Sequence, residues 1–143
     1  MRSTFSILTA SILLAGCSES TGVQPEDLAG TWTATSFVFQ SVATPALQVD
    51  VVDDLGLTIT ASIQSSGALS LTIAGGGFSE TETGTLTVTG SNFTLVLDGD
   101  TSTGTITRDG DTLTLTGSSG FEFDFDDDGT DEPATATAIF QKN

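Results

Sequence analysis

The feature that most constrains this chain is an alternation of apolar and polar residues, repeated in short runs from Thr31 onward. In the clearest run, from Leu55 to Gln64, apolar side chains occupy every second position. A period of two places one face of a β-strand in the core and the other face in water. No segment of this region shows a convincing period of 3.6, so the sequence predicts an all-β fold.

Short polar segments rich in Gly, Asp, Asn and Ser separate the alternating runs. Five of these segments are predicted to be turns: Ser65–Gly67, Gly90–Asn92, Asp98–Asp100, Asp109–Asp111 and Ser118–Gly120. Gly reaches positive φ without strain, and Asp, Asn and Ser bond to their own backbone, which is the chemistry of turns. Such short connections join neighbouring antiparallel strands. The first connection, from Ser41 to Asp54, is longer.

The predicted architecture is an antiparallel up-and-down meander of about eight or nine strands, from Thr31–Gln40 to Ala134–Gln141. A sheet of this length curls, and closure removes its two exposed edges. We therefore expect a closed barrel, with a β-sandwich as the alternative. Threonine dominates the outward positions, which makes the outer surface too polar for a barrel that spans a membrane.

The first 17 residues resemble the export signal of a bacterial lipoprotein. Arg2 precedes an apolar run from Phe5 to Leu14, which is too short to span a membrane as a helix. The run leads into Leu14-Ala15-Gly16-Cys17, which resembles the lipobox. That resemblance implies cleavage before Cys17 and acylation of its thiol with chains such as palmitate. Cys17 is the only cysteine, so it forms no disulfide within the chain.

The lipobox resemblance divides the chain into three parts. They are a signal peptide over residues 1–16, a lipidated Cys17 with a flexible tether over residues 17–26, and a β-barrel domain over residues 27–143. Several acyl chains on one cysteine are enough for stable anchoring. Ser18 and Glu19 do not resemble the aspartate signal that retains lipoproteins in the inner membrane. We therefore expect the outer membrane, at its periplasmic face or at the cell surface.

Composition narrows the range of functions. The chain has 19 acidic and three basic residues, for a net charge of −16. A surface this acidic repels phosphate backbones, so we expect no nucleic-acid partner. The chain has no histidine and no tyrosine, which removes the commonest general base. A glycosidase with two carboxylates remains chemically open, but the sequence does not favour an enzyme.

The segment Gly30-Thr31-Trp32 opens the first predicted strand. It resembles the G-x-W motif of the lipocalin superfamily, and more closely that of short bacterial lipocalin-like lipoproteins. The resemblance implies that Gly30 lets the chain turn into the strand and that Trp32 plugs the closed end of the barrel. It also implies that a basic residue near the chain end, here Lys142, packs over Trp32. The chain lacks the family's second motif, of Thr-Asp-Tyr type.

The predicted interior leaves two possibilities open. Apolar side chains could surround a small hydrophobic ligand, as they do in lipocalins, or could fill the barrel solidly. The inward candidates are Leu57, Ile59, Ile63, Leu69, Leu71, Ile73, Leu86, Leu95, Leu97, Leu113, Leu115, Phe121, Phe123 and Phe125. Small residues at Ala134, Ala136 and Ala138 leave space for either outcome. The pattern does not identify which residues contact a ligand.

The run from Asp124 to Glu132 resembles the first half of an EF-hand calcium loop, with Asp at alternate positions followed by Gly. Its predicted ligands are Asp124, Asp126, Asp128, the backbone carbonyl of Thr130, and Glu132 directly or through water. Thr135 stands where an EF-hand has its bidentate Glu, and the flanks are predicted strands, so we do not expect a true EF-hand. In the alternative interpretation, Asp124 and Asp126 are water-facing positions of a strand that ends in a hairpin turn.

Two functions follow from these patterns. The first is a lipid-anchored, lipocalin-like barrel that binds a small hydrophobic ligand at the cell envelope. The second is a non-catalytic, acidic, calcium-stabilised structural or interaction domain on the cell surface.

Overall fold

The computed structural model describes residues 22–143. The predicted signal peptide over residues 1–16 and the predicted acylation site at Cys17 lie outside this range. The described residues form a short 3-10 helix, Pro25–Leu28, and nine strands. The strands are β1 Gly30–Ser41, β2 Gln48–Asp50, β3 Thr58–Ile63, β4 Ala68–Gly75, β5 Phe78–Thr89, β6 Asn92–Leu97, β7 Asp100–Asp109, β8 Thr112–Phe123 and β9 Glu132–Lys142. Within residues 22–143, no helix is long and apolar enough to cross a membrane.

The strands form a single antiparallel sheet that closes on itself. The order is β2-β1-β3-β4-β5-β6-β7-β8-β9, and β1 also pairs with β9. Eight strands therefore form a ring, with each strand of the meander beside the next one in sequence. The three-residue strand β2 lies beside the second half of β1 as an extra strand. The all-β, up-and-down barrel predicted from the alternation is confirmed, and the two sheets of a β-sandwich are not formed.

One predicted turn is wrong. Ser118–Gly120 lies inside β8, which runs without interruption from Thr112 to Phe123. The pairing of β8 with β9 jumps from Gly117 to Phe121, so the segment forms a bulge. Gly120 has a φ of 77°, and its carbonyl accepts a hydrogen bond from the Ser102 hydroxyl at 2.7 Å. Turns and bulges both need an irregular backbone, so the same residue types produce both.

One end of the barrel is closed around Trp32. The Trp32 side chain is fully buried, and its indole N–H donates a hydrogen bond to the Leu28 carbonyl at 2.8 Å. The guanidinium of Arg108 lies 5.8 Å from the ring centroid, and the ammonium of Lys142 lies 5.3 Å from it. Both distances allow cation–π attraction. Arg108 also donates to the Asp27 carbonyl at 2.6 Å, which ties the 3-10 helix across this end.

The opposite end of the barrel carries the longer connections. These are the segment between β1 and β3 and the loop between β8 and β9; the short β4–β5 and β6–β7 turns lie at the same end. The two ends therefore differ: a helix and a buried tryptophan cover one, and loops surround the other. We call them the closed end and the open end.

The helix at the closed end is expected to contribute strongly to stability. Leu28 is 1% exposed and packs in the main core. Leu28→Ala should lower the free energy of unfolding by about 2–5 kcal/mol, because it leaves a cavity in the core. Urea denaturation measures this change.

A matched control is Leu47→Ala, which makes the same change at a side chain that is 48% exposed. It should change the free energy of unfolding by only about 0.5 kcal/mol. Equal losses in the two variants would show that the 3-10 helix does not act as a plug.

Candidate functional site: an apolar cavity with an acidic mouth

The interior of the barrel contains a cavity of about 710 Å³. It reaches from side chains near the closed end, such as Leu113 and Phe140, to the loops of the open end, where Asp98 and Asp131 line it. The volume lies within the range of small-molecule sites. The sequence was compatible with either a hollow or a solidly packed barrel, and the structure contains a cavity.

The predicted inward positions form most of the cavity wall. The residues from that set that line it are Leu57, Ile59, Ile63, Leu69, Leu71, Ile73, Leu86, Leu95, Leu97, Leu113, Leu115, Phe121 and Phe123. Ala136 and Ala138 also line it. Phe125 does not; its ring packs edge-on against Phe123 at 5.1 Å. The wall is therefore aliphatic over most of its surface, which suits an apolar ligand.

Four aromatic residues of the cavity lining were absent from the predicted inward set: Phe37, Phe39, Phe93 and Phe140. Phe37 and Phe39 both line the cavity, and their rings stack with centroids 5.0 Å apart. Phe39 stacks in turn on Phe123 from β8, again at 5.0 Å. We call Phe37, Phe39 and Phe123 the aromatic wall. Stacked pairs of this kind add stability beyond the area that they bury.

A bulge in β1 explains why Phe37 and Phe39 were missed. Trp32 and Ala34 face the interior, so strict alternation would point the odd-numbered residues that follow them outward. The pairing with β9 shifts between Ala34 and Ser36, so the inward positions change from even to odd. One extra residue in a strand reverses the side-chain direction of everything that follows it.

Asp50 binds the backbone at this bulge. Its carboxylate accepts hydrogen bonds from the Ser36 hydroxyl at 2.6 Å and from the Phe37 and Val52 N–H groups at 3.0 Å each. Burial acts to raise the pKa of Asp50, but these bonds to the charged form outweigh it and hold the pKa below its ordinary value. Asp50 thus connects the long first connection to the backbone that positions the aromatic wall.

A carboxylate also faces the interior. Glu82 on β5 pairs directly with Leu71 on β4, so both side chains project to the same face, and both line the cavity. Burial raises the pKa of Glu82, and the neighbouring charges of Asp98, Glu80 and Asp100 raise it further. Asp98 and Asp100 line the cavity as well. We call Glu82, Asp98 and Asp100 the acidic mouth.

Alternation along the strands points nearly every Asp and Glu side chain outward, and Glu82 is an exception. The first half of β5 is polar on both faces, with Ser and Thr alternating with Glu80 and Glu82. Without apolar residues to mark the inner face, alternation carries no information there. Only the pairing with Leu71 shows the direction of Glu82.

In the acidic run, residues 124–131 form the loop between β8 and β9 at the open end, and Glu132 is the first residue of β9. Because β8 ends at Phe123, Asp124 and Asp126 lie in this loop and are not positions of a strand. Asp124 accepts hydrogen bonds from the Gly129 N–H at 2.8 Å and the Asp128 N–H at 3.2 Å. The Gly129 bond is the main cause that holds the pKa of Asp124 below its ordinary value.

Four of the predicted ligands converge at this loop. Asp124, Asp126, Asp128 and Glu132 each offer one carboxylate oxygen, and these oxygens lie within 4.8 Å of one another. Oxygens that share one calcium ion at 2.3–2.6 Å are separated by about 5 Å at most. The four carboxylates could therefore hold a metal ion. Thr130 lies in the same loop, where its N–H donates to Asp128 at 2.8 Å.

The motif residues Gly30 and Trp32 lie at the closed end, away from the mouth. Gly30 has a φ of 135°, and a Cβ on it would approach the Lys142 side chain to 2.9 Å. This position therefore favours glycine for both its backbone conformation and its space. Trp32 lies beneath the cavity and does not line it.

No known protein-family model matches the chain, and no curated protein matches it. The features that bear on function are therefore the cavity, the acidic mouth and the acidic loop.

Proposed function

We propose that this chain is a membrane-anchored, lipocalin-like lipoprotein that binds a small hydrophobic ligand in its barrel. The observation that carries the proposal is the cavity of about 710 Å³, which runs through an aliphatic and aromatic interior. A ligand that buries about 200 Å² of apolar surface there gains about 5 kcal/mol before the cost of immobilising it. The role is one of binding and not of catalysis.

The open end supports ligand entry. The large apolar side chains that the structure leaves exposed are Val42, Leu47, Leu55 and Phe78, and all of them lie on connections or strand ends at the open end. Leu55 also lines the cavity. An apolar rim of this kind is typical of an interaction or ligand-entry site.

The path of the chain supports an orientation relative to the membrane. Gly22 lies against the β5–β6 turn at the closed end, since a Cβ on it would approach the Gly90 carbonyl oxygen to 2.8 Å. Five residue steps separate Gly22 from Cys17, which span about 18 Å at most. An acyl anchor on Cys17 would therefore hold the closed end near the membrane. The mouth would open away from that membrane, into the surrounding fluid.

Filling the cavity should abolish ligand binding. Ala138 on β9 is 5% exposed and lines the cavity. Ala138→Phe places a ring in that space and should lower the affinity for a neutral fluorescent dye, N-phenyl-1-naphthylamine, about tenfold or more. Fluorescence titration measures the affinity.

The control is Thr137→Phe, which places the same ring on the outer face of the same strand. It should leave dye binding unchanged. Undiminished binding by a folded Ala138→Phe variant would show that the dye does not enter the barrel, and the proposed function would be wrong.

The anchor should be detectable by metabolic labelling. When the full chain is expressed in a bacterium supplied with radiolabelled palmitate, the protein should become labelled and fractionate with membranes. Cys17→Ser should remove the label and release the protein, because it deletes the only thiol. Ser20→Ala, also near the predicted cleavage site, should keep both properties. An unlabelled wild-type protein would contradict the anchor.

A second candidate function, a calcium-stabilised structural or interaction domain, is favoured by the convergence of Asp124, Asp126, Asp128 and Glu132. Four carboxylates this close together repel one another, and a calcium ion would relieve that repulsion. The affinity of this site for calcium would be in the weak range of extracellular modules. This function is compatible with ligand binding, since the loop lies at the rim and the cavity lies below it.

Calcium at about 1–10 mM should raise the Tm by about 3–6 °C, because it binds the folded loop only. Asp126→Asn should abolish the rise. Asp127→Asn is the matched control, because Asp127 is the neighbouring carboxylate outside the converging set. An unchanged Tm in the wild type, or an equal loss in both variants, would show that the loop is not a calcium site.

A further inference from the structure

The cavity has two chemically different walls near the open end. β5, which carries Glu82, is four strands from β9 in either direction round the ring, so it lies opposite β9. The aromatic wall comes from β1 and β8, the two neighbours of β9. A ligand that enters the cavity therefore has Glu82 on one side and the phenylalanine rings of the aromatic wall on the other.

Among the described residues 22–143, no basic side chain compensates the acidic mouth. The basic residues among residues 22–143 are Arg108 and Lys142, and both lie over Trp32 at the closed end. Glu122 and Asp131 add further carboxylates to the cavity lining. A cleft lined by one sign of charge and walled by apolar groups concentrates its field on whatever enters. The electrostatic potential in this mouth is negative.

Walls of this kind would act differently on hydrophobic ligands of different charge. An anionic ligand such as a fatty acid would bring a like charge to Glu82 in a medium of low dielectric. A neutral ligand would gain apolar burial alone. A cation would gain attraction to the carboxylates and to any ring face within reach.

We propose that the cavity selects a hydrophobic cation, an amine or quaternary ammonium on an apolar body, with the positive charge beside Glu82 and the body among the aliphatic side chains below. This specificity rests on the proposed ligand-binding function. Glu82 is the carboxylate placed to contact the charge, since it projects from the wall directly beside Leu71.

Three ligands with the same ten-carbon chain test the charge preference: decyltrimethylammonium, decanol and decanoate, each below its aggregation concentration. The protein is the full chain with Cys17→Ser in every sample, so that no acyl group of its own competes. Calorimetric titration in metal-free buffer should show the ammonium binding about tenfold more tightly than decanol, with decanoate weakest.

Glu82→Gln should lower the affinity for the ammonium about fivefold or more and leave decanol binding unchanged. Binding of decanol also shows that the variant is folded. Asp111→Asn is the matched control, because it removes the same charge from an exposed turn at the closed end. It should leave all three affinities unchanged.

The pH dependence identifies the carboxylate. The ammonium keeps its charge at every pH, so any change in affinity comes from the protein. As the pH is lowered, protonation of Glu82 removes the charge that attracts the ammonium, so its affinity should fall. Because the pKa of Glu82 is raised, this fall should begin at a higher pH than that at which an ordinary glutamate titrates. The Glu82→Gln variant should lack this part of the fall. The groups that face Glu82 are Glu80, Asp98 and Asp100; β4 and β6 on either side carry no titratable residue.

Each contrary result has a separate meaning. Equal affinity for decanol and the ammonium would overturn the charge preference and leave ligand binding intact. Equal weakening by Glu82→Gln and Asp111→Asn would overturn it too, since overall charge would then be the cause. Failure of all three ligands to bind would overturn the proposed function itself.

Discussion

The pairing of β1 with β9 is the contact on which the rest of the structure depends. It runs from Trp32 opposite Lys142 to Ser41 opposite Ala134, so it joins the first and last strands over almost their whole length. This pairing removes the free edges of the sheet and gives it an inner face. Without it, the alternating side chains would cover one side of an open meander, and there would be neither a plugged end nor a cavity.

The two ends of the barrel divide the charges of the protein between them. The closed end holds both basic side chains of the described range against the face of Trp32. The open end holds Glu82, Asp98 and Asp100 on one side and the Asp124–Glu132 run on another. Negative charge is therefore concentrated where a ligand or a metal ion would arrive. Cations are the partners that this distribution attracts from solution.

Bulges in the backbone of two strands determine which aromatic side chains face the cavity. The bulge between Ala34 and Ser36 turns Phe37 and Phe39 inward. The Asp50 carboxylate stabilises this backbone by accepting a hydrogen bond from the Phe37 N–H. The bulge in β8 carries the strand past Gly117 so that Phe121 still faces the interior; its ring lies where a Cβ on Gly117 would be. In both strands an extra stretch of backbone, and not a change of residue type, determines what lines the cavity.

Local sequence determined the fold class, the meander and the aliphatic lining, because a period of two and Gly-rich turns act between residues close in the chain. It also identified Asp124, Asp126, Asp128 and Glu132 as a set of candidate metal ligands. The tertiary structure alone decided that Ser118–Gly120 is a bulge, that Phe37 and Phe39 face inward, and that Glu82 projects into the cavity. The reason is that these features depend on register with partner strands, such as Ala34 with Phe140 and Glu82 with Leu71. Whether the barrel is packed or hollow was likewise decided in three dimensions, since residue volumes fill or leave space only once the ring has closed.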